Sequence, residues 1–231
     1  MIEYKIERFF PTDAMFDLIS ANSSMLMVIG RFGISLGVGE DTIEQVCQKH
    51  GVDTYTFLAV VNLLIARDKV GLKIDYSKIS LPILIKYLHK SHHYFIDYRL
   101  PTIRTKLIEA LDSSDDVSVV IISYFDSYFE EVSMHMNYEE EKLFPYISAL
   151  IDGKGSDTFS IDIYSEHHDK VEEKLSELKN IIIRYYSVET TNALNSVLYD
   201  IFACEKGLAL HGILEDYLLV PAIKEFEQSK K

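Results

Sequence analysis

Tryptophan is missing from this chain, and cysteine occurs only twice, at Cys47 and Cys204. Two thiols so far apart make neither a disulfide framework nor a thiolate metal cluster, which fits a reducing compartment. Basic charge is scarce as well. Twenty-three Lys and Arg stand against 36 Asp and Glu, a net charge of -13, and the basic residues form no patch. Such a balance repels phosphate backbones, so nucleic acid is not an expected partner. No run approaches the ~20 apolar residues that a membrane span requires, and the opening MIEYKIERFF lacks the continuous apolar stretch of a signal peptide. The expectation is a soluble, cytoplasmic protein with no membrane partner.

Punctuation is sparse too, with five prolines and ten glycines in 231 residues. The long stretches between them carry apolar residues at helical spacing, not in alternation, which predicts an all-α fold. Residues 1 to about 72 break into short segments near Pro11-Thr12-Asp13, at 30–41, and at His50-Gly51-Val52-Asp53. Asp41 and Asp53 are placed to cap the helices that follow. From about Ser80 the pattern becomes four long helices, roughly 80–110, 114–149, 157–187 and 189–228. Short connections between four helices imply an up-down-up-down bundle. The division expected is a small helical domain at 1–75 and a four-helix bundle at 76–231.

One phrase is written twice. Residues 135–145 read HMNYEEEKLFP and residues 211–221 read HGILEDYLLVP, so His-x3-Glu-acid-x2-Leu-x-Pro recurs. A His-His pair precedes each copy, His92-His93 and His167-His168. The separation from His93 to His135 is 42 residues, and from His168 to His211 it is 43. The chain therefore repeats an αα-hairpin, which places four histidine-bearing helices around a pseudo-twofold axis. The Leu-x-Pro ending reads as a helix-terminal exit signal.

Apolar stripes indicate which side chains face inward. Counting forward from His93 at i+3, i+7, i+10 and i+14 gives Ile96, Leu100, Ile103 and Leu107, and from His168 it gives Val171, Leu175, Leu178 and Ile182. The same count from His92 or His167 meets charged and polar residues, so the second histidine of each pair is expected to face the core. Counting backward from His135 gives Val132, Tyr128, Phe125 and Ile121, and from His211 it gives Leu208, Cys204, Ile201 and Val197. Glu139 and Glu215, four residues on, share those faces, while Glu140 and Asp216 point elsewhere. Buried carboxylates are too costly to keep unless they are paired or coordinate a metal. Four imidazoles and two carboxylates from four helices therefore predict a metal site. Mixed imidazole and carboxylate ligation suits a pair of iron or manganese ions, and ligand type alone leaves zinc open.

At these residues the chain resembles the hemerythrin-type cation-binding family, and within it the repair-of-iron-centres (RIC) branch. The matching pieces are HHYFIDYRLP at 92–101, HMNYEEEKLFP, SEHHD at 165–169, and HGILEDYLLVP. Carried over position by position, the resemblance implies His93, His135, Glu139, His168, His211 and Glu215 as ligands of two iron ions. It also implies that the glutamates bridge the irons together with an oxo or hydroxo group. Oxygen-carrying hemerythrins supply five histidines; of the spare histidines here, His89, His92 and His167, the stripes place the last two off the core face, which favours iron-centre chemistry over reversible oxygen carriage. Glu131, one turn before His135, is a candidate for an access-route or catalytic acid. Its alternative is a solvated surface acid.

The stretch RFGISLGVGEDTIEQVCQKHGVD at 31–53 resembles the small amino-terminal domain of the RIC branch, which typically carries an adjacent cysteine pair where this chain has Gly37-Val38. A lone Cys47 in an apolar helical segment reads as core. The helix-turn-helix rhythm of 42–64 lacks the phosphate anchors that a DNA-reading helix needs. The resemblance implies a di-iron protein that restores iron-sulfur clusters damaged by nitric oxide or oxidants. Its expected partners are nitric oxide or oxygen as small ligands, damaged iron-sulfur proteins as clients, and a second copy as a homodimer. Two alternatives remain: a module that binds or senses oxygen or nitric oxide, and an oxidoreductase that consumes nitric oxide or peroxide with a supplied electron donor.

Overall fold

The computed structural model describes residues 8–66, 72–112, 114–154, 160–166, 172–187 and 191–230. Among these, the chain is all-helical, with a single isolated bridge between Ala14 and Thr42. Contacts divide the chain into two compact units that are not consecutive in sequence. The first comprises 1–90, 147–165 and 213–231, and the second 91–146 and 166–212.

In the first unit, helices α1 (Met15–Ala21), α2 (Met25–Phe32), α3 (Ile43–Lys49) and α4 (Thr54–Ile65) bury Met15, Leu18, Met25, Ile29, Ile43, Val46, Phe57 and Val60. Asp53 caps α4 as expected, accepting the Thr56 N–H at 2.7 Å. Asp41 does not cap α3. Thr42 does so in a capping box with Gln45, in which each side chain satisfies the other residue's backbone N–H. Asp41 is ion-paired with Lys49 instead. Gly33 ends α2 in the left-handed conformation, φ 78°, which a residue with a Cβ adopts only with strain. The buried Asn62 amide of α4 holds both the N–H and the C=O of Phe9, at 2.8 and 3.0 Å.

The second unit has one core built from four helical stretches. Phe95, Leu100, Ile103 and Leu107 meet Ile121, Phe125, Tyr128, Val132 and Met136; these pack with Leu175, Leu178 and Ile182, and with Val197, Ile201, Cys204 and Leu208. Polar ties lace its surface. Asp200 receives Arg99 at 3.0 Å and Lys106 at 2.5 Å, Lys179 reaches Glu205 at 2.7 Å, and Tyr124 donates to Glu177 at 2.6 Å. Gly207 lies where a Cβ would meet the Phe95 ring at 3.3 Å, so glycine sets the closeness of that approach.

The long helices are not uniform. Helix α5 (Leu81–His93) runs into α6 (Leu100–Ala110) through a π-helical turn at Tyr94–Arg99. Helix α7 (Asp116–Tyr138) runs into α8 (Phe144–Ile151) through one at Glu139–Leu143. After α9 (Ile161–Glu166) and α10 (Glu172–Tyr185), α11 (Asn192–Leu214) runs into α12 (Val220–Ser229) through a third at Glu215–Leu219. In each, a backbone N–H reaches back five residues: Leu100 to Phe95, Phe144 to Glu139, Val220 to Glu215. A π turn carries one more residue than the α turn it replaces.

Each π turn is followed two residues into the next helix by a proline, at Pro101, Pro145 and Pro221. Inside an α-helix proline removes the bond to the carbonyl four residues back and its ring crowds that carbonyl. A widened turn just before it relieves the crowding, and the neighbouring N–H bonds five residues back. The Leu-x-Pro phrase is therefore not an exit signal. The helices continue past all three prolines, and the prolines coincide with widened turns.

Candidate metal centre

Two of the three π turns begin at the glutamates of the repeated phrase, and the other begins immediately after His92-His93. The first π turn changes which histidine faces inward. His92 is 4 % exposed, whereas the His93 side chain is 61 % exposed and its Nδ1 lies 2.5 Å from Asp97. The expectation that His93 faces the core is corrected by this geometry, and the reason is the extra residue at Tyr94–Arg99. A forward count from His93 at α spacing passes through the insertion and lands in register by one residue too many. The buried series steps from Phe95 to Leu100, a stride of five. Read backward from His92, away from the insertion, in steps of four, eight and eleven, Leu88, Leu84 and Leu81 are all buried, while the same steps from His93 meet His89, Ile85 and Pro82, none of which is buried. The signal that selects His92 was present upstream.

Backward counts from His135 and His211 avoid every π turn, and those stripes are buried throughout: Val132, Tyr128, Phe125 and Ile121 in one, Leu208, Cys204, Ile201 and Val197 in the other. Glu139 is 0 % exposed, His211 2 % and Glu215 1 %.

These residues converge. His92 Nε2 lies 3.0 Å from Glu139 Oε2 and 3.2 Å from His211 Nε2. Glu215 follows one turn beyond His211 along the same helix, and His92, Glu139, His211 and Glu215 each offer a ligand atom within 4.8 Å of the others. His135 stands beside this group, its Nε2 3.4 Å from Glu139 Oε1 and its side chain 14 % exposed. The His92 ring stacks on Phe144 at 5.4 Å with planes 7° apart, and the Phe95 ring meets His211 edge-on at 6.1 Å. Aromatic walls fix both imidazole planes.

His168, with His167 and Val171, lies outside the described residues. Glu131 is drawn to the surface: both its oxygens lie 2.5 Å from Lys174 Nζ and its side chain is 39 % exposed. The structure thus places Glu131 in an ion pair with Lys174. Glu140, which the stripes direct away from the core, does point elsewhere than Glu139, but its Oε1 lies 2.7 Å from His92 Nδ1. A stripe count sees only one face of one helix and misses a contact made from its flank.

Imidazole nitrogens and carboxylate oxygens brought together with no thiolate among them make a donor set that fits a divalent or trivalent transition-metal ion. Residues 84–223 match the family model described as hemerythrin HHE cation binding domain. The chain belongs to the hemerythrin HHE cation-binding family. The matched residues contain every described ligand candidate of the HHE domain, and they include all three π turns. No curated protein matches the chain.

Cys47 and Cys204 are both buried, and burial pushes each thiol up to about 12. Neither offers a thiolate near neutral pH. No described helix is long and apolar enough to cross a membrane.

Proposed function

We propose that this HHE protein is a non-haem iron protein that acts in the repair of iron-sulfur clusters damaged by nitrosative or oxidative stress, within the RIC branch. The observation that carries this reading is the buried group His92, Glu139, His211 and Glu215 inside an HHE domain, joined to an amino-terminal stretch, 31–53, that resembles the RIC small domain. The four residues, with His135 at their edge and His168 from the sequence repeat, would hold a pair of iron ions. Bound iron would supply redox chemistry toward nitric oxide, or a source of iron for a damaged cluster. The chain's own contribution is to hold the imidazoles, His92 by stacking on Phe144 and His211 by its edge-on contact with Phe95, and to keep the carboxylates dry. Nitric oxide or oxygen as ligands, damaged iron-sulfur proteins as clients and cytoplasmic residence belong to the same proposal.

A second reading is favoured by one specific feature. The RIC small domain typically carries a cysteine pair where this chain has Gly37-Val38, and Cys47 is buried with its thiol pushed up to about 12. An amino-terminal unit without a reactive thiol suits an oxygen- or nitric oxide-sensing module.

The test is metal analysis of protein from iron-rich culture, with the ultraviolet-visible spectrum before and after nitric oxide. About two irons per chain and a visible band that responds to nitric oxide are expected for the proposed pair. Protein containing a single zinc, or no metal, overturns it. Reactivation of a damaged cluster enzyme separates repair from sensing, in which a reversible gas adduct forms without reactivation.

A further inference from the structure

His92 is gripped on both ring nitrogens by consecutive residues of the second π turn. Glu139 Oε2 lies 3.0 Å from Nε2, and Glu140 Oε1 lies 2.7 Å from Nδ1. Consecutive residues of an α-helix point well apart, and the widened turn that begins at Glu139 lets both reach one imidazole. The two contacts are not equivalent. Nε2 faces the buried group, with His211 Nε2 at 3.2 Å. Nδ1 faces a carboxylate whose side chain is 28 % exposed, at the border with solvent.

A neutral imidazole has one proton for two nitrogens, and only the nitrogen without it can ligate a metal. We infer that Glu140 is a positioning residue for metal binding: it accepts the Nδ1–H of His92 and thereby presents the Nε2 lone pair to the group formed with Glu139, His211 and Glu215. This rests on the reading of that group as a metal site. Without Glu140, the proton is free to sit on Nε2 and bond to Glu139, and the ring is free to turn about its stacking contact with Phe144. Metal binding would then have to displace a proton and reorient a ring. Partners of this kind, behind a ligating histidine, typically change metal affinity by about 10- to 100-fold.

Glu140→Leu, Glu140→Gln and Glu141→Leu variants of the full chain test this. Zinc(II) and iron(II) affinities are measured against a competing chelator, and the apo proteins are compared by circular dichroism and thermal melting. Glu140→Leu is expected to bind each metal roughly 10- to 100-fold more weakly while the apo protein melts within a few degrees of the parent. Glu140→Gln, whose amide oxygen still accepts from Nδ1, is expected to recover most of the affinity. Glu141→Leu removes the same charge from an exposed position one residue on and is expected to leave affinity unchanged. Nitrogen-15 shifts of His92 in the apo protein give a second readout, with the Nδ1–H tautomer dominant in the parent and depleted in Glu140→Leu. Equal affinities for Glu140→Leu and the parent overturn the inference while leaving the metal site intact. Equal losses in Glu140→Leu and Glu140→Gln also overturn it, since charge rather than the accepted proton would then be responsible. Failure of the parent protein to bind metal removes the proposed function itself, a different outcome from either.

Discussion

The Tyr76 hydroxyl donates to the backbone carbonyl of Tyr217 at 3.3 Å, the carbonyl four residues before Pro221. An α-helix would satisfy that oxygen with the N–H of residue 221, which proline lacks. A side chain from the short 3₁₀ turn Tyr76–Lys78 thus reaches a carbonyl whose α-helical donor is removed by Pro221. Tyr76→Phe is expected to lower unfolding stability by about 1 kcal/mol, the usual net worth of a single neutral hydrogen bond. The Tyr76→Phe, Pro221→Ala double variant is expected to recover most of that, because alanine restores a backbone donor. Urea midpoints of the four proteins check this as a double-mutant cycle.

His92 and His93 are adjacent in sequence and opposite in fate. His92→Ala is expected to abolish stoichiometric metal binding, since it removes a ligand atom within 4.8 Å of three others. His93→Ala is expected to leave metal content unchanged and to shift stability by less than ~1 kcal/mol, because its side chain and its pair with Asp97 are exposed. Metal analysis of the two proteins decides, and the reverse pattern would return the site to the register expected from a regular helix.

Leu178, fully buried in the core of the second unit, is expected to cost about 2–5 kcal/mol on replacement by alanine. Thermal and urea unfolding of the metal-free protein measure this. Metal-loaded protein is expected to melt higher than metal-free protein for both parent and variant, because ligands that bind only the native state stabilise it by mass action.

The cysteines give a pH prediction with a definite sign. Cys47 and Cys204 each have a thiol raised from 9.0 to about 12 in the folded chain by burial. Between those values the unfolded state has lost protons that the folded state retains, so stability must fall as pH rises through that window and is unaffected below it. Urea midpoints measured from pH 8 to pH 11 are expected to decline above pH 9, with the slope reduced in a Cys47→Ala, Cys204→Ala variant. Thiol-directed alkylation at pH 8 is expected to be slow for native protein and rapid in denaturant.

Much of this was legible in the residues. The backward stripes from His135 and His211 found buried faces because they ran along unbroken α-helix, and Glu139 and Glu215 followed from being one turn on. Asp53 was legible as a cap because it directly precedes the helix. Asp41 lost that role to Thr42, whose partner Gln45 stands at the spacing a capping box requires. The forward stripe from His93 failed at an insertion that apolar spacing does not announce when only one side of it is read. Proline was the visible sign. Pro101, Pro145 and Pro221 mark positions where an uninterrupted helix is strained, and each coincides with a widened turn. Glu140 was not legible at all, because a contact between flanks of two helices depends on their approach and not on the periodicity of either.

The widened turn at Tyr94–Arg99 also bears on how this chain is laid against its relatives. Where a relative has a regular helix at this point, the two sequences can be superposed on the leucines before the turn or on those after it, but not on both without a one-residue gap. An alignment anchored on Leu100, Ile103 and Leu107 alone carries a ligand from the relative onto His93, and one anchored on Leu81, Leu84 and Leu88 carries it onto His92. The gap belongs between His92 and Leu100, and ligand assignments transferred across it shift by one position.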